Sequence, residues 1–373
     1  TAKLAVERTV NTVAADLRAL ALSPDGRELY VAATDGETIP SQADPNAKPF
    51  THLVAVVGAA PGEGFAALGR TADLTRQSGA KGPFVGPAGV LPLGDALWVS
   101  AESSNEVAIL DRASLAERAR LAACDGPRAL VPYAGGVAVH CFRSFEVQLF
   151  SEAGETRAKV RTAEDPRPPA VALGESLFYK PGNRFAANHS CSSCHIETQN
   201  DGMIWRFGQN NWANVRPLQL LHATTPVGWH AYVSSVDNFG FQGPGSIIGR
   251  PASTEEAQGL TAFLGSLLGA PRATGKTRLD GSFTAQALRG KELFEGKAAC
   301  SGCHSGLLYT NRRLIEQGKS GEEADVPTLL GAYRHGVYFV KGQARTLPAA
   351  VDVAASYVGG EPSDGAKADP LRL

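Results

Sequence analysis

Two short cysteine and histidine boxes constrain this 373-residue chain more than any other feature. The first is HSCSSCHIE at 189–197 and the second is AACSGCHSG at 298–306, and each contains the spacing C-x-x-C-H. In this spacing, two cysteines form thioether bonds to the vinyl groups of a porphyrin, and the adjacent histidine binds the iron. The sequence therefore predicts two covalently bound haem c groups.

The boxes supply six candidate haem-binding residues, which are Cys191, Cys194, His195, Cys300, Cys303 and His304. A single CxxC pair is also typical of zinc sites and of redox dithiols. The four cysteines of the two boxes could supply all four ligands of a zinc ion as thiolates. In that case the histidine directly after each second cysteine has no role. The haem interpretation accounts for all six residues, with the two histidines as iron ligands.

Composition excludes several classes of protein. The chain is 20% charged and 43% hydrophobic with a formal net charge of -1, so the basic excess of a nucleic-acid binder is missing. No run of eighteen apolar residues exists, and we expect no membrane span. The opening TAKLAVERTV has neither a basic start nor an apolar core, so we expect a mature form whose signal peptide has been removed.

The two remaining cysteines bear on the compartment. Cys124 and Cys141 lie in short apolar stretches, LAACDG and VAVHCF. If these are neighbouring strands, the two can form a disulfide, and two buried free thiols are the alternative. Bacteria attach haem c outside the cytoplasmic membrane. Both considerations predict a periplasmic location.

Residues 1–152 have the pattern of β-hairpins. Apolar runs flank a turn in 17–36, in 85–111 and in 127–150. The second and third turns, at Gly94 and Gly135, are 41 residues apart, which is the blade period of a β-propeller.

These units resemble the blades of YVTN/WD40-like propellers, and the polar segment 37–50 looks like an insertion. About 150 residues supply three or four blades, which is fewer than closed propellers usually have. Three interpretations remain open. The propeller is completed by another chain in an oligomer, or it is completed by a longer polypeptide, or the segment is a small sandwich and not a propeller.

A different architecture is expected after a Pro-rich linker at 153–170. Helical spacing before each box, and a capped helix in STEEAQGLTAFLGSLLG, favour a mainly α-helical structure with long haem-covering loops. We expect a first haem domain at 171–272 and a second at 273–373, so the fold class is multidomain, β followed by mainly α.

The second half also repeats internally. LGESLFYKPGNRFAANHSCSSCH and RGKELFEGKAACSGCH share a G-x-x-L-F approach to the box. Residues 214–237 can be laid over 325–348, and each segment runs from a proline through a Leu-rich stretch to an aromatic residue twelve positions after the proline. Two copies of one haem domain explain the repeat.

Residues 170–373 resemble the bacterial di-haem cytochrome c peroxidase and MauG family. The resemblance rests on GKELFEGKAACSGCHSG and on PTLLGAYRHGVYFVKGQARTL. It implies that hydrogen peroxide reacts at the first haem, that the second haem feeds or stores electrons, and that calcium lies between the haem domains.

The family resemblance also suggests the sixth ligand of the second haem. Peroxidases of the family use a methionine, but the single methionine here, Met203, lies eight residues after His195. AAVDVAASYVGGEP is similar to the ending of MauG-like members, which implies Tyr357 as the sixth ligand of the haem bound by His304. His335 and Lys341 are rival ligands, and a tyrosine packed under a loop is the alternative.

For the first haem, peroxide chemistry needs a group that moves a proton. Aligned on Trp229, GWHAYVSSVD places Asp237 at the family's glutamate and His230 at its aspartate, so both are candidate catalytic acids or bases. A hydrogen-bonded structural histidine and a helix-cap aspartate are the alternatives.

Aromatic and histidine side chains between the boxes are further candidates. Trp205, Trp212 and Trp229 can shorten electron-tunnelling steps between haems or simply pack. His189 and His222 are candidates for haem-pocket contacts.

The leading hypothesis is a MauG-like oxidoreductase in which peroxide generates a high-valent di-haem state. That state oxidises an external donor, either an electron-donor protein or a side chain of a substrate protein docked by the β domain. The alternatives are a peroxidase that removes hydrogen peroxide and a non-enzymatic electron carrier.

Overall fold

A computed structural model describes most of the chain. The described residues are 16–36, 38–39, 50–60, 64–75, 82–182, 188–207, 211–269, 280–316 and 322–357. Contacts divide the chain into unit one, residues 1–194 with 244–250, and unit two, residues 195–243 with 251–373. The domain boundaries expected from the sequence remain predictions. The chain start and most of the segment 37–50 lie outside the described residues.

Unit one contains three four-stranded antiparallel sheets. The first sheet consists of β1 (Asp16–Leu22), β2 (Glu28–Asp35), β4 (Thr51–Ala60) and β5 (Gly64–Asp73), and the short β3 (Thr38–Ile39) follows β2 in the chain. The second sheet consists of β6 (Pro87–Leu93), β7 (Ala96–Ala101), β8 (Glu106–Asp111) and β9 (Glu117–Ala122). The third sheet consists of β10 (Pro127–Tyr133), β11 (Gly136–Cys141), β12 (Glu146–Ser151) and β13 (Thr156–Arg161). The hairpins expected from the sequence are confirmed, and the first part of the chain is β-rich and propeller-like.

The second sheet lies between the other two, and β7 shows why its sequence is apolar throughout. Side chains alternate between the faces of a strand, so Leu97 and Val99 pack with the first sheet while Trp98 packs with the third. Because both faces are covered, every residue of β7 is buried.

A disulfide joins Cys124, between β9 and β10, to Cys141 at the end of β11. Their Cα atoms are 5.8 Å apart, which is within the ordinary range, and both side chains are buried. The sequence left a disulfide and two free thiols open, and the structure shows the disulfide.

Six α-helices, four 3-10 turns and two hairpins make up the regular structure described after residue 168. The helices are α1 (Pro169–Tyr179), α2 (Cys191–Cys194), α3 (Val236–Ile247), α4 (Thr254–Ser266), α5 (Ala285–Glu295) and α6 (Leu347–Tyr357). The hairpins are β14 (Ile204–Phe207) with β15 (Asn211–Asn214), and β16 (Leu314–Glu316) with β17 (Glu323–Asp325). Ser253 caps α4 in a capping box with Glu256, as the sequence suggested. No helix in the described part of the chain is long and apolar enough to cross a membrane.

The internal repeat is present in unit two. A hairpin, a 3-10 turn, an isolated β-bridge and the start of a helix follow one another twice in the same order. The 3-10 turns begin at Leu221 and Ala332, and the helices begin at Val236 and Leu347, so each pair is 111 positions apart. The two halves are therefore copies of one local fold.

The offset of this repeat is the one that the overlay of 214–237 on 325–348 predicts. Gly228 and Phe339 both adopt left-handed backbone conformations, with φ of 88° and 64°, and they are 111 positions apart. The structural counterpart of Trp229 is consequently Val340, so the aromatic residues of the two copies lie at neighbouring and not identical positions.

Candidate haem-attachment sites

The cysteines of the first box belong to unit one. Cys191 and Cys194 begin and end the single turn of α2, and Cys194 is buried. Burial raises the pKa of the Cys191 thiol to about 12. A redox dithiol or a zinc thiolate needs a lowered pKa, so this environment fits a cysteine engaged in a thioether better than a reactive thiolate.

The box histidines share one arrangement. Burial lowers the pKa of His195 to about 4, and the backbones of Gln199 and Arg216 act in the opposite direction. Burial likewise lowers the pKa of His304, whose Nδ1 lies 3.1 Å from the carbonyl oxygen of Tyr309. Both rings are therefore neutral, which is the form that binds a metal.

Equivalent backbone positions act on the two rings. The backbone of Arg216 acts on His195, and the backbone of Pro327, 111 positions later, acts on His304. At His304, the hydrogen bond from Nδ1 to the carbonyl oxygen of Tyr309 orients the ring and leaves Nε2 as the nitrogen for a metal.

Exposed apolar side chains lie before and after the second box. Thr284 caps α5 by accepting a hydrogen bond from the backbone N–H of Ala287. Leu288 and Leu293 on this helix are 48% and 55% exposed, and Leu307, three residues after His304, is 94% exposed. A porphyrin face packs against apolar side chains. The residues present at the second box therefore fit a haem group.

A cleft in unit two is lined by both copies of the repeat. Arg216 and Trp229 come from the first copy, and Thr328, His335 and Tyr338 come from the second. Burial lowers the pKa of His335 to about 4, so its ring is neutral and capable of binding a metal.

Trp229 is held rigidly at this cleft. Its indole N–H donates to the carbonyl oxygen of Asn214 at 2.9 Å, and the guanidinium of Arg216 lies 5.0 Å from its ring. Arg216 in turn donates to the carboxylate of Asp325 at 2.9 Å. Burial raises the pKa of Asp325, and the guanidinium of Arg216 opposes that shift.

The two candidate acids or bases lie in different settings. Asp237 is exposed in the first turn of α3. The Nδ1 atom of His230 lies 2.7 Å from the carbonyl oxygen of Glu323, and its Nε2 lies 3.7 Å from the carboxylate of Glu322, which also binds Lys341 at 2.6 Å. His230 and Lys341 are thus brought together at one carboxylate. The catalytic roles of Asp237 and His230 remain predictions.

Tyr357 ends α6, and its ring packs edge-on against Phe339 with centroids 5.5 Å apart. Burial raises the pKa of its hydroxyl. Nothing in these contacts tests its assignment as the sixth ligand, which remains a prediction.

The other sequence candidates are placed as follows. Trp205 is buried and donates to the Asp201 carboxylate at 2.6 Å, and Trp212 lies 6.0 Å from the guanidinium of Arg206. His222 is exposed in a 3-10 turn, whereas His189 is buried in unit one. In the described part of the chain, no group of three or more His, Cys, Asp or Glu side chains is placed to hold a metal ion, and calcium remains a prediction.

Several residues of these sites were not found from the sequence. Arg216 and Asp325 form an ion pair between the two copies, and the only sequence signal was their place at the start of the repeated segment. His52 in β4 contacts Asn188, directly before the first box, and Ser103, in the turn after β7, contacts Ser190 within the box. Their separation from it in sequence leaves no local pattern to detect.

No protein-family model matches the sequence, and no curated protein is significantly similar to it. Similar solved structures include a hydrazine synthase of Kuenenia stuttgartiensis, at 22% identity and a TM-score of 0.45, over 54% of this chain and 83% of that chain. A second hydrazine synthase structure from that organism matches at 20% identity and 0.30, over 38% of this chain and 46% of that one. Sqt1 of Saccharomyces cerevisiae matches at 12% identity and 0.28, over 39% and 35%. Similarities of this size assign neither function nor family.

Proposed function

We propose that this protein is a periplasmic di-haem c-type oxidoreductase of the MauG and cytochrome c peroxidase type. In this proposal residues 170–373 form two mainly α-helical haem domains. The observation that carries it is the duplicated CxxCH box, in which His195 and His304 each follow a CxxC pair and burial lowers the pKa of each ring.

Two haem groups, when bound, supply the redox chemistry for hydrogen peroxide. The overall balance is that peroxide takes two electrons and two protons to give two water molecules, and an external donor loses the two electrons. Cys191, Cys194, Cys300 and Cys303 tether the porphyrins, and the two box histidines bind iron. The protein part of the work is to hold the rings, limit water and deliver protons.

Proton delivery falls to side chains near the first haem. A general acid or base lowers the barrier to breaking the peroxide bond, because one oxygen must lose a proton and the other must gain one. Asp237 and His230 are the candidates. His230 has a carboxylate neighbour, Glu322, at 3.7 Å, which provides a proton path that Asp237 lacks among its described contacts.

The ligand chemistry of the second haem favours a MauG-like role over the removal of peroxide. The only methionine, Met203, is not in the segment where peroxidases of the family carry theirs. An oxygen ligand such as Tyr357 stabilises ferric and higher oxidation states, whereas a thioether favours ferrous iron. A donor protein or a side chain of a partner protein is then the substrate, and the β-rich unit is the proposed docking module.

The proposal is tested on purified, periplasmically matured protein. Intact mass and the pyridine haemochrome spectrum should show two haems per chain. The double variant Cys300→Ala, Cys303→Ala should lose one haem. The matched control Cys124→Ala, Cys141→Ala removes as many cysteines outside the boxes and should keep both.

Peroxide addition then separates the functional classes. A long-lived oxidised spectrum with slow turnover of a reduced cytochrome is the expected result. Rapid turnover of that cytochrome would assign a peroxide-removing enzyme instead. Purely low-spin ferric signals that do not respond to peroxide would assign an electron carrier, and protein without a Soret band would end the proposal altogether.

A further inference from the structure

The turn that carries the first cysteine pair is buried within unit one. Ser190, Ser192 and Ser193 are each 3% exposed or less. In the second box, by contrast, Gly302 is exposed and Ser301 is half-buried. The two boxes have the same spacing but different surroundings, and the strands of unit one account for the burial of the first.

The first sheet contacts the residues that lead into this turn. The Nε2 atom of His52 donates to the carbonyl oxygen of Asn188 at 2.7 Å, while its Nδ1 lies 3.1 Å from the hydroxyl of Thr34. The side-chain amide of Asn188 donates back to the carbonyl oxygen of Phe50. The Phe50 ring also stacks on His189, with centroids 5.0 Å apart and planes 14° from parallel.

The second sheet contacts the turn itself. The hydroxyl of Ser103 lies 3.4 Å from that of Ser190 and 3.3 Å from that of Ser192. Arg18 of the first sheet donates to the carbonyl oxygen of Ser192 at 3.3 Å, and its guanidinium lies 3.5 Å from the Glu102 carboxylate. Within the turn, the hydroxyl of Ser193 accepts from the backbone N–H of Ser190. The hydroxyl groups on this buried side therefore have partners in the protein, as buried polar groups require.

The third sheet holds the helix that precedes the box. Arg128 donates to the hydroxyl of Tyr179, the last residue of α1, at 3.0 Å, and also to the Glu102 carboxylate at 2.6 Å. The guanidinium of Arg143 lies 4.7 Å from the Tyr179 ring. All three sheets consequently contribute to one network around α1 and the first cysteine turn.

We infer that His52 and Ser103 are positioning residues for the first haem, and that the first and second sheets cover the side of its attachment turn formed by Ser190 and Ser192, while the third sheet holds α1. The β-rich unit then fixes the two thioether bonds at Cys191 and Cys194, a role additional to partner docking. This inference rests on the proposed function only where it concerns haem, because the contacts to the turn exist in the protein itself.

Ser103→Ala is the variant that tests the inference, and Ser100→Ala is its matched control. Both serines are buried in or next to β7 and both hydroxyls are hydrogen-bonded, but Ser100 donates to the carbonyl oxygen of Arg128 and not to the box. In hydrogen exchange of the purified protein, residues 188–194 should exchange more slowly than 300–303. Ser103→Ala should accelerate exchange at 188–194 by about tenfold, as expected for loss of one hydrogen bond. Ser100→Ala should leave it unchanged.

A second readout is specific to the haem. Ser103→Ala and His52→Asn should shift the midpoint potential and the ferric resonance signal of the haem bound by His195, while leaving those of the haem bound by His304 in place. Ser103→Thr, which keeps the hydroxyl, should restore both. Wild-type exchange rates and potentials in Ser103→Ala and His52→Asn would overturn the inference. Wild-type protein without haem would refute the proposed function but leave the exchange test valid.

Discussion

The backbone N–H of Asn214 donates to the carbonyl oxygen of Val340 at 2.7 Å, and its counterpart 111 positions later, Asp325, donates to the carbonyl oxygen of Trp229 at the same distance. The same hydrogen bond therefore occurs twice, once from the first copy to the second and once from the second copy to the first. The small core between them contains Ala213 and Ala324, which are equivalent, together with Trp229 and Val340, which are not alike. One indole ring fills the space that two smaller side chains would otherwise share.

Truncation of this ring should destabilise unit two. Trp229→Ala removes a buried indole from the core between the copies and should lower the free energy of unfolding by about 3 kcal/mol. Trp212→Ala, at a half-buried ring in β15, is the control and should cost less. Urea denaturation followed by the Soret band measures both, and equal losses would show that Trp229 has no special place in this core.

The ion pair between Arg216 and Asp325 should behave as a buried pair. Asp325 is 1% exposed at its side chain, so Asp325→Asn leaves the guanidinium without its buried partner and should cost about 3 kcal/mol. Asp237→Asn, at an exposed carboxylate, should change stability by less than about 0.5 kcal/mol. If Arg216→Met combined with Asp325→Leu is no more stable than Asp325→Asn alone, the loss does not come from an unpaired charge.

These two predictions concern contacts that the sequence did not reveal, whereas the local elements were largely predictable. Alternating apolar residues around Gly94 and Gly135 predicted the hairpins of the second and third sheets, because strand periodicity and turn chemistry are encoded within about ten residues. The helix cap at Ser253 and the disulfide partners were also identifiable from local signals.

Long-range pairing was not predictable for a physical reason. His52 contacts Asn188, which is 136 positions away in the sequence. Neither residue lies in a local pattern that distinguishes it from other polar residues. The overlay of 214–237 on 325–348 gave the correct offset of the repeat, but the core that Trp229 and Val340 share was not predictable, because the two side chains are unlike. The haem ligands are predictable only in part, because the boxes identify the proximal residues, whereas the distal residues come from distant segments.

The pH dependence of stability should reveal His52. Burial, with smaller contributions from the nearby Arg18 and His189, lowers its pKa to about 4, and the hydrogen bond to the backbone of Asn188 opposes this shift. An unfolded histidine has a pKa of about 6.5, so the unfolded state takes up a proton first as pH falls. The contribution of neutral His52 to stability is therefore complete above pH 6.5 and is lost progressively between pH 6.5 and 4.

Between pH 7.5 and 5, this linkage amounts to about 2 kcal/mol. His52→Gln should remove that part of the pH dependence, whereas His140→Gln, at an exposed position, keeps His52 and should retain it. Unfolding free energies at the two pH values provide the measurement. The same pH dependence in wild type and His52→Gln would mean that His52 is not neutral and buried as described.

The disulfide between Cys124 and Cys141 should stabilise the third sheet. The two cysteines are 17 positions apart, and closing a loop of this length contributes about 3 kcal/mol by restricting the unfolded chain. Reduction, or the double variant Cys124→Ala, Cys141→Ala, should lower the thermal midpoint of the β-rich unit. Far-ultraviolet circular dichroism follows that transition, and unchanged midpoints would contradict a stabilising role.

The sixth ligand of the haem bound by His304 can be identified by comparing three variants. Tyr357→Phe keeps the edge-on packing against Phe339 and removes only the hydroxyl, so the fold should be retained. If the phenolate oxygen binds iron, this variant alone should change the ferric resonance and optical spectra of that haem. His335→Gln and Lys341→Met should leave them as in the wild type. A spectral change in either of those variants, with Tyr357→Phe unchanged, would move the ligand to that residue and weaken the argument for a MauG-like enzyme, because the preference for high oxidation states depends on an anionic oxygen donor.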